Sequence, residues 1–203
     1  MIFSSRFWNG CAAASCEYLA VTQTVQEDQT WNSSCGCYNN QATGVRYYAL
    51  IAPAGTQTVP AVLSAGDFYD TSGNLYYRMP SDAIDKDQSI VYTFNVGDGS
   101  SNTCFGANPC YPSVYADSID DNGTPGTQEL VQQGAGSITD TSSNGTWGYQ
   151  ASVAIDPGDD STFHGTSEYL DSEETVCHMG SNTNCTWDSA IFTCTKGSSG
   201  LCP

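Results

Sequence analysis

Three groups of side chains in this chain could do chemistry: acids gathered in turns, aromatic rings on alternating runs, and cysteines. The acids suggest an ion. The window Ser118-Ile-Asp120-Asp121-Asn122-Gly123-Thr-Pro-Gly-Thr-Gln-Glu129 has Asp at its third position, Asn at its fifth, Gly at its sixth and Glu at its twelfth. An EF-hand calcium loop uses the same order, because Ca2+ takes about six to eight hard oxygens on a tight turn. Asp117, Asp120, Asp121 and Glu129 are therefore the candidate ligands, and Ca2+ the candidate ion. The first position is Ser118 rather than Asp, Pro125 stands at the eighth, and no helical pattern flanks the window. The competing reading is a solvated Asp-Asn-Gly turn. Similar acidic turns occur at Asp82/Asp85/Asp87, Asp156/Asp159/Asp160 and Asp171/Glu173/Glu174.

The aromatics suggest sugar. Carbohydrates stack their apolar faces on rings, and the chain holds 12 Tyr and 4 Trp. Trp147, Tyr149 and Tyr76 are the candidate ligand-binding rings, set against the alternative that they are ordinary strand residues. Hydrolysis of a sugar polymer would need two carboxylates about 5–5.5 Å or about 6.5–9.5 Å apart. With 22 acids the sequence singles out no pair, and Glu168, beside Tyr169 and near His164, stands out only by context. His164 and His178 are the two imidazoles, and no G-x-S-x-G elbow is present for a serine nucleophile.

The cysteines fall in three groups: Cys11, Cys16, Cys35 and Cys37, then Cys104 and Cys110, then Cys177, Cys185, Cys194 and Cys202. An even count without recurring C-x2-C pairs reads as five disulfides rather than zinc, with the pairing left open. Cys35 and Cys37 are expected to seek different partners, since neighbouring side chains on an extended chain point apart. Such a framework belongs to an oxidising compartment, so the expectation is an extracellular protein, secreted or at the cell surface. No basic and apolar leader follows Met1, and the chain reads as a mature one. The longest apolar stretch, Tyr47 to Ala54, is too short to cross a bilayer, so no membrane insertion is expected.

Charge excludes whole classes. Only 5 Lys and Arg stand against 22 Asp and Glu, for a net charge of −17. No basic stripe exists to neutralise phosphates, so a nucleic-acid partner is not expected. The surface is instead built from 24 Ser, 21 Thr, 12 Asn and 20 Gly, a composition unlike a helical bundle.

The elements that must position these groups read as strands. Trp147, Tyr149, Ala151, Val153 and Ile155 share one parity; so do Ile90, Tyr92, Phe94 and Val96; so do Leu19, Val21 and Val25. Leu75, Tyr77 and Met79, and Ala190, Phe192 and Cys194, repeat the pattern. Val45 to Ile51 is apolar on both parities and predicts a doubly covered central strand. Asp70-Thr-Ser-Gly73 predicts a hairpin between the runs on either side. Thr127 to Gln133 is the best helical candidate, and it is short. Together these predict a single domain over 1–203, all-β, an antiparallel β-sandwich or jelly roll stapled by disulfides at both ends.

The opening Arg6-Phe7-Trp8-Asn9-Gly10-Cys11-Ala-Ala-Ala-Ser15-Cys16, followed by Cys35-Gly-Cys37-Tyr38, resembles the mature start of family-45 endoglucanases, which are double-psi barrel enzymes. The likeness covers about a dozen residues of weak pattern. The family's His-Phe-Asp acid motif is absent, and Asn9 stands where many members have their catalytic Asp, so the assignment is not adopted. The expected function is a structural or binding role at an extracellular surface, with glycans or copies of the protein itself as partners. The alternative is a secreted polysaccharide-degrading enzyme with a carboxylate acid and base.

Overall fold

The computed structural model describes residues 2–11, 14–26, 30–32, 37–39, 43–53, 59–70, 75–97, 103–104, 107–109, 111–135, 137–138, 150–171, 176–177 and 187–195. Side chains are described over 17–26, 43–52, 59–70, 75–97, 111–135, 150–171 and 188–195. The strands run β1 (Ile2–Cys11), β2 (Ala14–Gln26), β3 (Thr30–Asn32), β4 (Cys37–Asn39), β5 (Thr43–Pro53), β6 (Ala61–Phe68), β7 (Tyr76–Ile84), β8 (Ile90–Gly97) and β9 (Thr103–Cys104). They continue with β10 (Ala107–Pro109), β11 (Ser113–Ile119), β12 (Glu129–Gln132), β13 (Ser137–Ile138), β14 (Ala151–Ile155), β15 (Thr162–Leu170), β16 (Val176–Cys177) and β17 (Trp187–Thr195). The chain is all-β, and no helix occurs among the described residues. Thr127 to Gln133, the expected helix, instead supplies the edge strand β12, because a seven-residue polar segment gains more from pairing with β11 than from an unsupported helical turn.

Three larger sheets carry the fold, with orders β1-β2-β5-β6, β12-β11-β8-β7 and β14-β15-β17, all antiparallel. The β12-β11-β8-β7 sheet lies between the other two. One apolar cluster joins it to the first sheet through Val45, Tyr47, Phe68, Tyr77, Ile84, Ile90, Phe94 and Ile119 among others. A smaller one, Ala83, Val91, Val153, Phe163 and Cys194, joins its other face to the third sheet. Alternation alone predicts one wet face on β8, yet every residue from Ile90 to Gly97 is buried, since Thr93 and Asn95 face the third sheet rather than water. The doubly covered strands are therefore β8 and β11 and not Val45–Ile51. In β5, Val45, Tyr47 and Ala49 are buried while Arg46, Tyr48 and Leu50 are only half-buried.

The expected hairpin at Asp70 is a crossover. β6 pairs with β5 and β7 pairs with β8, so the segment leaves one sheet and enters the next. The Asp70 carboxylate accepts the Leu75 N–H at 3.2 Å and helps to close the connection. Local turn chemistry is the same for a hairpin and for an arch between layers, and only the pairing partner tells them apart.

β7 serves both interfaces by changing phase. The ladder steps from Arg78↔Asn95 to Ser81↔Thr93, which inserts one extra residue, and Met79 takes φ 50° there. Before this bulge Leu75 and Tyr77 face the first sheet; after it Asp82 and Ile84 do, while Ala83 turns to the third.

Two glycines lie under aromatic rings from the neighbouring strand. Gly66 pairs with Tyr47 and Gly165 with Phe192, and a Cβ at either position would collide with the ring. Gly165→Ala is accordingly expected to lower stability by about 1–3 kcal/mol. The cost should shrink in a Phe192→Ala background, as measured by urea unfolding in a double-mutant cycle.

Candidate functional site

The residues with the most unusual chemistry form one row across the middle sheet. Asp82 on β7, Tyr92 on β8 and Asp117 on β11 are direct cross-strand partners, and Tyr92 belongs to the cluster facing the first sheet. The row sits between two apolar ones, Ile84–Ile90–Ile119 on one side and Phe94–Tyr115 on the other. Asp82 and Asp117 are each 4% exposed and Tyr92 is fully buried. From the first sheet, the Thr22 hydroxyl donates to Asp82 Oδ2 at 2.7 Å, and the Tyr47 ring lies 5.4 Å from that of Tyr92.

Burial sets the electrostatics of this row. It pushes the Asp117 carboxyl up to about 6; the Ser118 N–H, at 2.6 Å, pulls the other way, and the charge of Glu129 adds to the rise. The Tyr92 phenol is pushed well above its ordinary value, first by burial and then by Asp82, Tyr47 and Asp117. Its hydroxyl has no hydrogen-bond partner among the described residues. A carboxyl near pKa 6 can hold or release a proton close to neutral pH, as a general acid must. Here it faces the layer between two sheets.

The proposed calcium ligands are divided. Asp117 is inside and Glu129 is half-buried beside it on β12. Asp120 and Asp121 lie in the following turn. Burial is the largest single influence on the Asp120 carboxyl and acts to raise it, but Oδ1 accepts the N–H of Asn122 at 2.9 Å and of Thr124 at 2.7 Å, and the bonds to these two residues together hold it below the usual range. Asp121 Oδ1 accepts from the Asn122 side-chain amide. Among the described residues, no three His, Cys, Asp or Glu side chains gather as a metal site. The turns at Asp85 and at Asp156–Asp159 follow the same plan, while Glu173 and Glu174 lie outside the described residues. Asp85 Oδ1 accepts the N–H of Asp87 and of Ser89, each at 2.8 Å, and Asp156 Oδ1 that of Gly158. Asp159 is held at about 2 by the Thr162 hydroxyl and by the N–H groups of Ser161 and Thr162. Each carboxylate caps its own turn.

Of the candidate rings, Tyr76 is half-buried on β7 with the Arg78 guanidinium 5.3 Å above it. Trp147 and Tyr149 lie outside the described residues. Glu168 is half-buried on β15. His164 on the same strand is exposed, with Nε2 at 3.6 Å from Asp156 Oδ2 and Nδ1 at 3.2 Å from Thr193 Oγ1. Cys194 is buried on β17 and disulfide-bonded; no cysteine is free among the described residues. The side chains of the other nine candidate cysteines, and all of His178, lie outside them.

A cleft of about 70 Å³ opens between the first and middle sheets near Tyr18, Leu63, Ile84, Ile119 and the Asp120–Gly123 turn. It holds an aliphatic side chain or a few waters, well short of the roughly 300 Å³ at which small-molecule sites begin. Comparison with protein-family models, with curated proteins and with solved structures finds no match. The resemblance of the first strand to family-45 endoglucanases therefore gains no support over the rest of the chain.

Sequence reasoning placed Asp82 in an acidic turn and passed over Tyr92 and Thr22. The signal available was parity: Asp82 sits two residues before Ile84, on an inward-facing run. Two outcomes test the row. Asp117 binds its proton more tightly in the folded protein, at about 6, than in the unfolded chain, where a carboxyl titrates at its ordinary 3.8. Its contribution is thus fully present below about pH 4 and lost as pH rises through about 6. Asp117→Asn is expected to flatten that limb of the stability profile and to gain up to about 3 kcal/mol at pH 7.5. Tyr92→Phe, which removes an unpaired buried hydroxyl, is expected to be neutral or to stabilise by about 1 kcal/mol in chemical denaturation.

Proposed function

We propose that this protein is an extracellular, disulfide-stapled antiparallel β-sandwich that works through its surface, as a structural or binding module whose partners are glycans or copies of itself. The observation that carries the reading is one segment rich in exposed apolar side chains. Val59, Val62, Leu63 and Tyr69 are 91%, 60%, 54% and 41% exposed, and all lie on one segment. Exposed large apolar side chains concentrated on one segment support an interaction site there. The sandwich description is supported by the apolar clusters on both faces of the β12-β11-β8-β7 sheet. The staples are supported by the bridged Cys194.

A polysaccharide-degrading enzyme is the second reading, favoured by the raised Asp117 carboxyl. Two assays on the whole chain separate them. The surface reading expects binding on a glycan array or reversible self-association, without release of reducing sugar from common polysaccharides. Sugar release that Asp117→Asn abolishes would reverse the preference. Calcium is proposed at Asp117, Asp120, Asp121 and Glu129. The measurement is the melting temperature with calcium against chelator: a rise in calcium supports the site, and an unchanged value overturns it.

A further inference from the structure

We propose that the cleft between the first and middle sheets is a docking pocket for a lysine side chain of a different, basic protein, its stem lying against the isoleucines and its ammonium meeting the acidic turn at the mouth. The inference goes beyond the surface reading above, since it names a partner of opposite charge rather than a glycan or a second copy.

Burial orients the cleft. Ile84, Ile90 and Ile119 are buried and form its floor, while Leu63 and Asp121 are exposed and stand at its mouth. Apolar walls hold water poorly, so a space of about 70 Å³ over this floor favours an apolar guest. The mouth has the opposite character. The Asp120–Gly123 turn lines it and brings two carboxylates in succession. An aliphatic floor under an anionic rim matches a side chain that is apolar along its length and cationic at its tip. Lysine has that form, a flexible four-carbon stem carrying a compact point charge. Arginine's planar fork wants both oxygens of one carboxylate. Here Asp120 Oδ1 accepts two N–H groups of its own turn, and Asp121 Oδ1 accepts the Asn122 amide.

Charge and size select the occupant. A chain of net charge −17 draws a cationic surface toward it and repels its own copy. Its own cations are few, and the described ones are engaged. Arg46 is paired with Asp67, Lys86 with Asp87, and the Arg78 guanidinium lies over the Tyr76 ring. The side chains of Arg6 and Lys196 lie outside the described residues. The lysine is therefore assigned to another protein. A sugar ring is excluded by size, because small-molecule sites begin at roughly 300 Å³. Leu63 and the exposed Val62 beside it extend the apolar surface past the mouth, where the residues flanking the lysine rest. The ion pair at the rim is exposed, so it steers the encounter and weakens with salt.

The experiment is an NMR titration of the whole chain, in chelator so that no calcium competes for the turn, with capped peptides Gly-Ser-X-Ser-Gly. X is lysine, 2,3-diaminopropionic acid (the same charge on a one-carbon stem) or norleucine (a four-carbon stem without charge). The lysine peptide is expected to bind at least about threefold more tightly than either control, to shift the signals of Leu63, Ile84 and Ile119, and to weaken as salt is raised. Asp121→Asn is expected to weaken the lysine peptide at least about threefold and to leave norleucine unchanged. Leu63→Ser, at an exposed position, is the second variant should Asp121→Asn fail to fold, and is expected to weaken lysine and norleucine peptides alike. Equal binding of the lysine and short-stemmed peptides is general attraction to an acidic surface and overturns the inference. Equal binding of lysine and norleucine, a lysine preference indifferent to both variants, or no binding by any peptide also overturns it. Each of these failures leaves the surface reading standing, because that reading is decided by glycan binding and self-association.

Discussion

Both faces of the inner strands β8 and β11 are buried, so a polar group there finds its partner inside the protein or, like the Tyr92 hydroxyl, has none among the described residues. Asn95 shows the solution toward the third sheet. Its Oδ1 accepts from the Ser167 hydroxyl and its amide donates to the Glu168 carbonyl, tying β8 to β15. The Ser81 hydroxyl accepts the Val153 N–H and ties β7 to β14. Toward the first sheet, Thr22 and Asp82 make the corresponding tie. Packing supplies the area of these interfaces, and the polar clasps fix their register, because a slip of one residue would leave each of them unpaired and buried.

Aromatic rings fill the larger of the two interfaces. Tyr47, Phe68, Tyr77, Tyr92, Phe94 and Tyr115 form a continuous group with centroids 5.2 to 6.4 Å apart. Many of the rings that could have stacked on a ligand are spent here. The acids divide in a similar way. Among the described residues, carboxylates in turns cap backbone N–H groups and Asp82 and Asp117 sit between the sheets, so the negative charge is partly an architectural device.

The strands were legible in the sequence because alternation is a local property. β2, β8, β14 and β17 appear where Leu19, Ile90, Val153 and Phe192 predict them. What alternation cannot carry is the partner. The Asp70 turn reads as a hairpin until its two strands are found in different sheets, and the polar parity of β8 reads as wet until the third sheet covers it. The Asp82–Tyr92–Asp117 row was hidden for the same reason: its members are adjacent only across three strands, and the bulge at Met79 shifts the parity by which Asp82 could have been placed.

That bulge has a further consequence. With a side-chain period of two, one inserted residue works as a phase inverter. The segment before Met79 and the segment after it address the same two neighbouring layers with opposite parity. Substitutions in one half are thereby decoupled from the pattern required of the other. Were the same residues to run on from Tyr77 in plain alternation, without the bulge, Asp82 and Ile84 would turn to the layer now met by Ser81 and Ala83. The reading frame of this strand is kept by its irregularity.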